Sequence, residues 1–135
     1  MIDHLSLGVA NLAAARQYYD RVLASLGYVR LSDIDVPGQG LVAHGYGEKD
    51  GNSSFWIGVP EQVTPECNRR GGVHLAFAAR SRADVDAFHA AALAAGGTDN
   101  GAPGLRPQYH ADYYGAFAFD PDGNKIEACC HHPEP

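Results

Sequence analysis

The alternation of apolar and polar residues sorts the chain into two copies of one pattern. Over residues 2–9, Leu5, Leu7 and Val9 fall on one face of a strand, and His4 and Ser6 on the other. Leu12, Ala15, Tyr19, Val22 and Leu26 then recur at steps of three and four, which predicts an amphipathic helix. Strands are expected at 28–34, 41–46 and 53–59. The second half repeats the order. A strand at 72–79 leads to a helix carried by Val85, Phe88, Ala92 and Ala95, then to a weak strand near 98–102 and strands at 113–119 and 125–130.

The repeat extends to individual residues. Asp3-His4-Leu5-Ser6-Leu7-Gly8-Val9 matches Val73-His74-Leu75-Ala76-Phe77-Ala78-Ala79, and each histidine stands seven residues before a helix-cap candidate, Asn11 or Ser81. Ser81-Arg82-Ala83-Asp84 has the form of a capping box, and Gly27 and Gly96-Gly97 supply helix stops. Asp120-Pro121-Asp122-Gly123 reads as a hairpin turn, with Asp50-Gly51-Asn52 in the same role earlier. The expectation is an α+β chain with β-α-β-β-β twice: one domain over 1–135, with modules at 1–59 and 72–132 and a linker at 60–71.

Composition narrows the function. A chain of 135 residues can bury a real core without staples. No apolar run reaches the length of a bilayer span, and no secretory signal is read at the start. The net charge of −6, with Arg69-Arg70 the only adjacent basic pair, argues against nucleic acid. Three cysteines (Cys67, Cys129 and Cys130) without framework spacing suit a reducing cytoplasm. The run Cys129-Cys130-His131-His132 looks like a metal tract. Neighbouring strand residues point to opposite faces, however, so it reads as a strand end and tail.

Alternation also sorts the chemistry. His74 and Ala76 lie opposite Val73, Leu75 and Phe77; Lys125, Glu127 and Cys129 lie opposite Ile126, Ala128 and Cys130. His4, His74 and Glu127 therefore all fall on the face away from the helices. Any one of them alone would usually be solvated or hydrogen-bonded. Together, two imidazoles and a carboxylate suit a divalent metal with open coordination positions.

These residues carry a resemblance. Ile2-Asp3-His4-Leu5, Gly72-Val73-His74-Leu75-Ala76-Phe77 and, most specifically, Phe119-Asp120-Pro121-Asp122-Gly123-Asn124-Lys125-Ile126-Glu127 resemble the vicinal oxygen chelate superfamily. That superfamily includes glyoxalase I, extradiol dioxygenases, fosfomycin-modifying enzymes and bleomycin-resistance proteins. The resemblance implies paired modules whose mixed sheets curl around a central cavity, with one helix on the outside of each. It implies His4, His74 and Glu127 as ligands of a divalent ion (iron, manganese, nickel or zinc), a small-molecule substrate and a homodimer. Relatives of the glyoxalase type carry a fourth ligand on the fourth strand. Here Ser53-Ser54-Phe55-Trp56-Ile57-Gly58-Val59 offers none, which favours other lyase, isomerase or dioxygenase chemistry. A phosphonate would need a cationic cradle, and the last strand and tail supply only Lys125.

The remaining candidates line the expected cavity. His44, Tyr46 and Trp56 would shape it from the first module. The Pro-bounded stretch from Leu105 to Tyr114 concentrates Arg106, Tyr109, His110 and Tyr113. Tyr109 and His110 are candidates for acid–base work, and Arg106 and Tyr113 for substrate contact, with Arg106 binding a carboxylate or enolate oxygen. The contrasting expectation is a metal-free sequestering protein of the bleomycin-resistance kind, using an aromatic-lined cavity.

Overall fold

A computed structural model describes residues 3–36, 41–59 and 74–134. The expected linker at 60–71, with Cys67 and Arg69-Arg70, lies outside the described residues, as do the first positions of the strands expected at 2–9 and 72–79. The element order is β1 (Leu5–Gly8), α1 (Leu12–Ala24), β2 (Tyr28–Val36), β3 (Leu41–Glu48) and β4 (Phe55–Gly58). The second module gives β5 (Leu75–Ala78), α2 (Arg82–Ala94), β6 (Thr98–Leu105), β7 (Tyr114–Phe119) and β8 (Lys125–Cys130). These are two similar βαβββ modules, each a four-stranded mixed sheet with one helix.

The sheets run β1-β4-β3-β2 and β5-β8-β7-β6. In each, the first and last strands of the module pair in parallel and the rest antiparallel. The crossover helix that a parallel pair requires is α1 in one module and α2 in the other. Asn11 caps α1, its side chain accepting from the Ala14 N–H at 3.0 Å. Ser81 and Asp84 form a reciprocal capping box on α2. Gly27 (φ 81°) and Gly96 (φ 100°) take the left-handed conformation that ends each helix.

β6 is longer than the expected 98–102. Its register slips between Asp99 and Gly101 and again between Gly101 and Gly104, so no clean two-residue alternation marks it in the sequence.

The helix-bearing faces of the two sheets meet. Tyr18 and Tyr19 are adjacent on α1 yet both buried, which requires cover on two sides of the helix. Tyr19 packs edge-on against Phe55 of β4 at 5.0 Å, and Phe55 touches Phe77 of β5 at 5.1 Å. Tyr28 of β2 donates to the Ala78 carbonyl of β5 at 2.9 Å. One continuous core results, built from Tyr19, Val22, Leu23, Val85, Phe88, Ile126 and their neighbours. Each such large apolar side chain contributes about 1.5–3 kcal/mol by leaving water.

The most specific sequence motif ties the modules together. Asp120, buried at 3 % exposure, accepts from the Tyr19 hydroxyl of α1 at 2.7 Å, while Asp122 accepts from the Ala10 N–H at 3.0 Å. Gly123 (φ 86°) closes this turn between β7 and β8.

Candidate active site

Register fixes which side chains share the face opposite the helices. On the second sheet Ala76 pairs with Glu127, and Glu127 with Phe117. Paired residues point the same way, so this face carries Glu127, Phe117, Cys129 and Lys125, with His74 just before β5 and Tyr113 just before β7.

Glu127 is the centre of this face. It sits on an inner strand and is 2 % exposed, so its carboxylate needs partners. It has them on both oxygens: His74 Nε2 lies 3.1 Å from Oε2, and the Tyr113 hydroxyl donates to Oε1. The Tyr113 hydroxyl is held far above its ordinary range, first by burial and then by its hydrogen bond to Glu127. It therefore remains a donor at every working pH. The Cys129 thiol is also pushed up, chiefly by burial.

The loop before β7 folds onto the same face. Tyr109 stands edge-on to Tyr113 at 4.9 Å and is 60 % exposed. His110 Nε2 meets His131 Nδ1 at 2.8 Å, with the ring planes 21° from parallel, so one nitrogen carries the shared hydrogen. His131 Nε2 lies 3.7 Å from Cys129 Sγ, and the Tyr113 ring is edge-on to His131 at 5.0 Å. The sequence pattern reads His131 as tail. The signal was nevertheless present, because it continues the series 125, 127, 129 on the site face. Cys130, one residue earlier, is buried in the core instead.

On the first sheet the corresponding face carries Ser6 and Trp56, which are register partners, with His4 just before β1. His4 is 58 % exposed and its Nδ1 lies 2.6 Å from Asp3 Oδ1. Trp56 lies across Gly45, where an added Cβ would fall 2.9 Å from the indole and 2.6 Å from Ser53 Oγ. A cavity of about 250 Å³ beside it is lined by Ser6, Gly8, Ala43, Trp56, Gly58 and Val59.

His44 and Tyr46 are not brought to this face. They pair with Ile57 and Phe55, the helix-side residues of β4. Tyr46 is 1 % exposed and donates to Asp20 of α1 at 3.0 Å, while His44 Nδ1 lies 2.6 Å from Asp33 Oδ1. Tyr46 thus ties β3 to α1, and His44 ties β3 to β2. Glycines at 45 and 47 hide the face of β3 from an alternation argument.

The candidate ligands thus separate into two groups. His74 and Glu127 converge, and His4 stands on the other sheet. Among the described residues no three His, Cys, Asp or Glu groups gather into a metal-holding set. Nor is any described helix long and apolar enough to cross a membrane.

Comparison with known proteins agrees with this architecture. The family model described as Glyoxalase/Bleomycin resistance protein/Dioxygenase superfamily matches residues 1–128. Among solved structures, the chain is similar to a glyoxalase/bleomycin resistance protein from Albidiferax ferrireducens T118. Identity is 34 %, coverage 95 % of this chain and 97 % of that one, and the TM-score 0.77. A glyoxylase/bleomycin resistance protein/dioxygenase domain from Frankia sp. EAN1pec shares the fold at 19 % identity, 98 % coverage of each chain and TM-score 0.73. Glyoxalase I from Zea mays does so at 21 % identity and TM-score 0.71, with 96 % of this chain covered and 45 % of the maize chain. No curated protein matches the chain.

Proposed function

Because the chain belongs to the Glyoxalase/Bleomycin resistance protein/Dioxygenase superfamily, we propose that it is a divalent-metal enzyme acting on a small substrate with two neighbouring oxygens. Its site is shared between two copies of the chain. The observation that carries this reading is the split ligand set. His74 and Glu127 lie 3.1 Å apart on one site face, while His4 projects from the other sheet, exposed and paired with Asp3. A second copy would bring its own His4 to this His74 and Glu127.

The donors fit such an ion. One imidazole nitrogen and one carboxylate oxygen already point at each other, and a further imidazole completes a nitrogen–oxygen set suited to iron, manganese, nickel or zinc. When bound, the metal supplies Lewis-acid polarisation of the substrate's oxygens. The chain does the rest. Tyr113 holds Glu127 through its second oxygen and keeps the carboxylate oriented. Tyr109 and His110, on the loop above, are the groups placed to exchange a proton with bound substrate. Trp56, rather than a carboxylate, occupies the site face of β4, so a base there is missing and glyoxalase I chemistry itself is disfavoured. Lyase, isomerase or ring-cleaving dioxygenase chemistry remains for the open positions.

The apolar cavity beside Trp56 favours a second reading, a metal-free sequestering protein of the bleomycin-resistance type. Hybrid dimers separate the two. His4→Ala and His74→Ala chains should each purify without stoichiometric metal. Mixed and reassociated, they should regain metal in hybrids, since one of the two shared sites is then intact. Full metal content in both single variants, or no metal even in the parent protein, would overturn the proposal.

A further inference from the structure

Phe117 of β7 is the ring on which two cations lie. The Arg106 guanidinium carbon lies 5.7 Å from its ring centroid and Lys125 Nζ lies 4.9 Å from it, both within cation–π range. The ring is 9 % exposed, and Phe117 is the direct cross-strand partner of Glu127. The His74 ring meets it edge-on at 6.2 Å.

Neither cation has a carboxylate partner among the described residues. Among the described residues Arg106 bonds to two backbone carbonyls, Nη2 donating to Ala102 at 2.7 Å and Nη1 to Leu105 at 3.3 Å. Glycine at 104 leaves the guanidinium room, since a Cβ there would stand 3.0 Å from Nη1. Lys125 makes no ion pair with a described residue. In a chain with sixteen acidic and ten basic residues, two cations share this one ring with no described carboxylate between them. Arg82 shows the ordinary alternative, within reach of both Asp112 and Glu134.

We propose that Arg106, Lys125 and Phe117 form an oxyanion subsite that takes the carboxylate of a small ligand beside His74 and Glu127. The ring positions both cations without spending their donors. Toward the described residues Arg106 uses two of its five N–H groups and Lys125 none, which leaves enough donors to meet both oxygens of a carboxylate. Phe117 also excludes water from beneath the bound group, which strengthens the attraction. The subsite stands without any metal. Naming its occupant as the substrate rests on the metal reading above, and then specifies the substrate as an acid whose carboxylate lies close to its two chelating oxygens.

The test compares two probes of equal shape on the chelator-treated protein: 3,4-dihydroxybenzoate and the neutral 3,4-dihydroxybenzyl alcohol, titrated calorimetrically. The acid should bind at least about tenfold more tightly, with the advantage shrinking as salt rises. Arg106→Gln and Lys125→Gln should each weaken the acid about tenfold and leave the alcohol unchanged. Lys49→Gln, in an exposed turn of the other module, should change neither. Inorganic phosphate binding as tightly as 3,4-dihydroxybenzoate, in competition with it, would extend the occupant to any oxyanion and overturn the assignment to carboxylate. Equal binding of acid and alcohol, or equal weakening of both by the variants, would overturn the subsite and leave the cations a packing role. Repeating the titration after metal loading separates the two proposals. A carboxylate preference in a protein that takes up no metal upholds the subsite and sinks the enzyme reading.

Discussion

Removing the Tyr19 hydroxyl should destabilise the protein in a pH-dependent way. Asp120 is buried and receives four hydrogen bonds: Tyr19 OH at 2.7 Å, Asn124 Nδ2 at 2.8 Å, and the backbone N–H groups of Asn124 at 2.8 Å and Asp122 at 3.0 Å. Burial raises its carboxyl above the usual carboxylate range, and the bonds from Asn124 and Tyr19 pull it partly back. A carboxyl raised in the fold contributes stability that is fully present below its unfolded pKa and is lost as pH rises through the folded value. Tyr19's bond acts against that loss, because it favours the ionised form. Tyr19→Phe should therefore cost about 2 kcal/mol at neutral pH, where the acceptor is charged, and about 1 kcal/mol below the unfolded pKa, where it is neutral. In thermal melts these correspond to drops of roughly 6–10 °C and 3–5 °C. Circular dichroism at fixed protein concentration is the assay, since association alone shifts a melting point. Equal losses at both pH values, or a larger loss in acid, would refute the assignment of an ionised Asp120 to this bond.

Further outcomes follow from other contacts. Gly97→Ala should lose about 1–3 kcal/mol in urea unfolding. Its Cβ would stand 2.7 Å from the Ala92 carbonyl and 2.8 Å from both the Phe119 carbonyl and Tyr18 OH. Ser81→Ala breaks the capping box of α2 and should cost about 1 kcal/mol by the same measurement, most of it restored by Ser81→Asn. Tyr113→Phe removes the donor to Glu127 and should weaken metal retention about 10- to 100-fold in a chelator competition, run at a temperature where circular dichroism shows both proteins folded. If Tyr113→Phe holds metal as tightly as the parent, Tyr113 does not support a ligand.

Much of this molecule was legible from periodicity. Both helices, their caps and the turn at Asp120 follow from local rules that act within a few residues, and the structure places them where the pattern does. Alternation also assigned faces correctly on β5 and β8, where apolar and polar residues contrast. It failed on β3 because Gly45 and Gly47 erase that contrast, so His44 and Tyr46 gave no sign that they share the face of Ile57 and Phe55. It failed on β6 because two register slips break the period.

What the sequence determined by itself was which residues share a face within a strand, and hence that His4, His74 and Glu127 are chemically alike in position. Strand geometry is local and fixes this residue by residue. Only the tertiary structure decided how far apart those faces lie. The helix-bearing sides meet through Phe55 and Phe77, so one chain unites His74 with Glu127 and leaves His4 apart. It also drew Arg106 from β6's neighbourhood onto the ring that Lys125 shares. Such meetings depend on how sheets stack and how irregular strands pair, and no spacing along the chain encodes them.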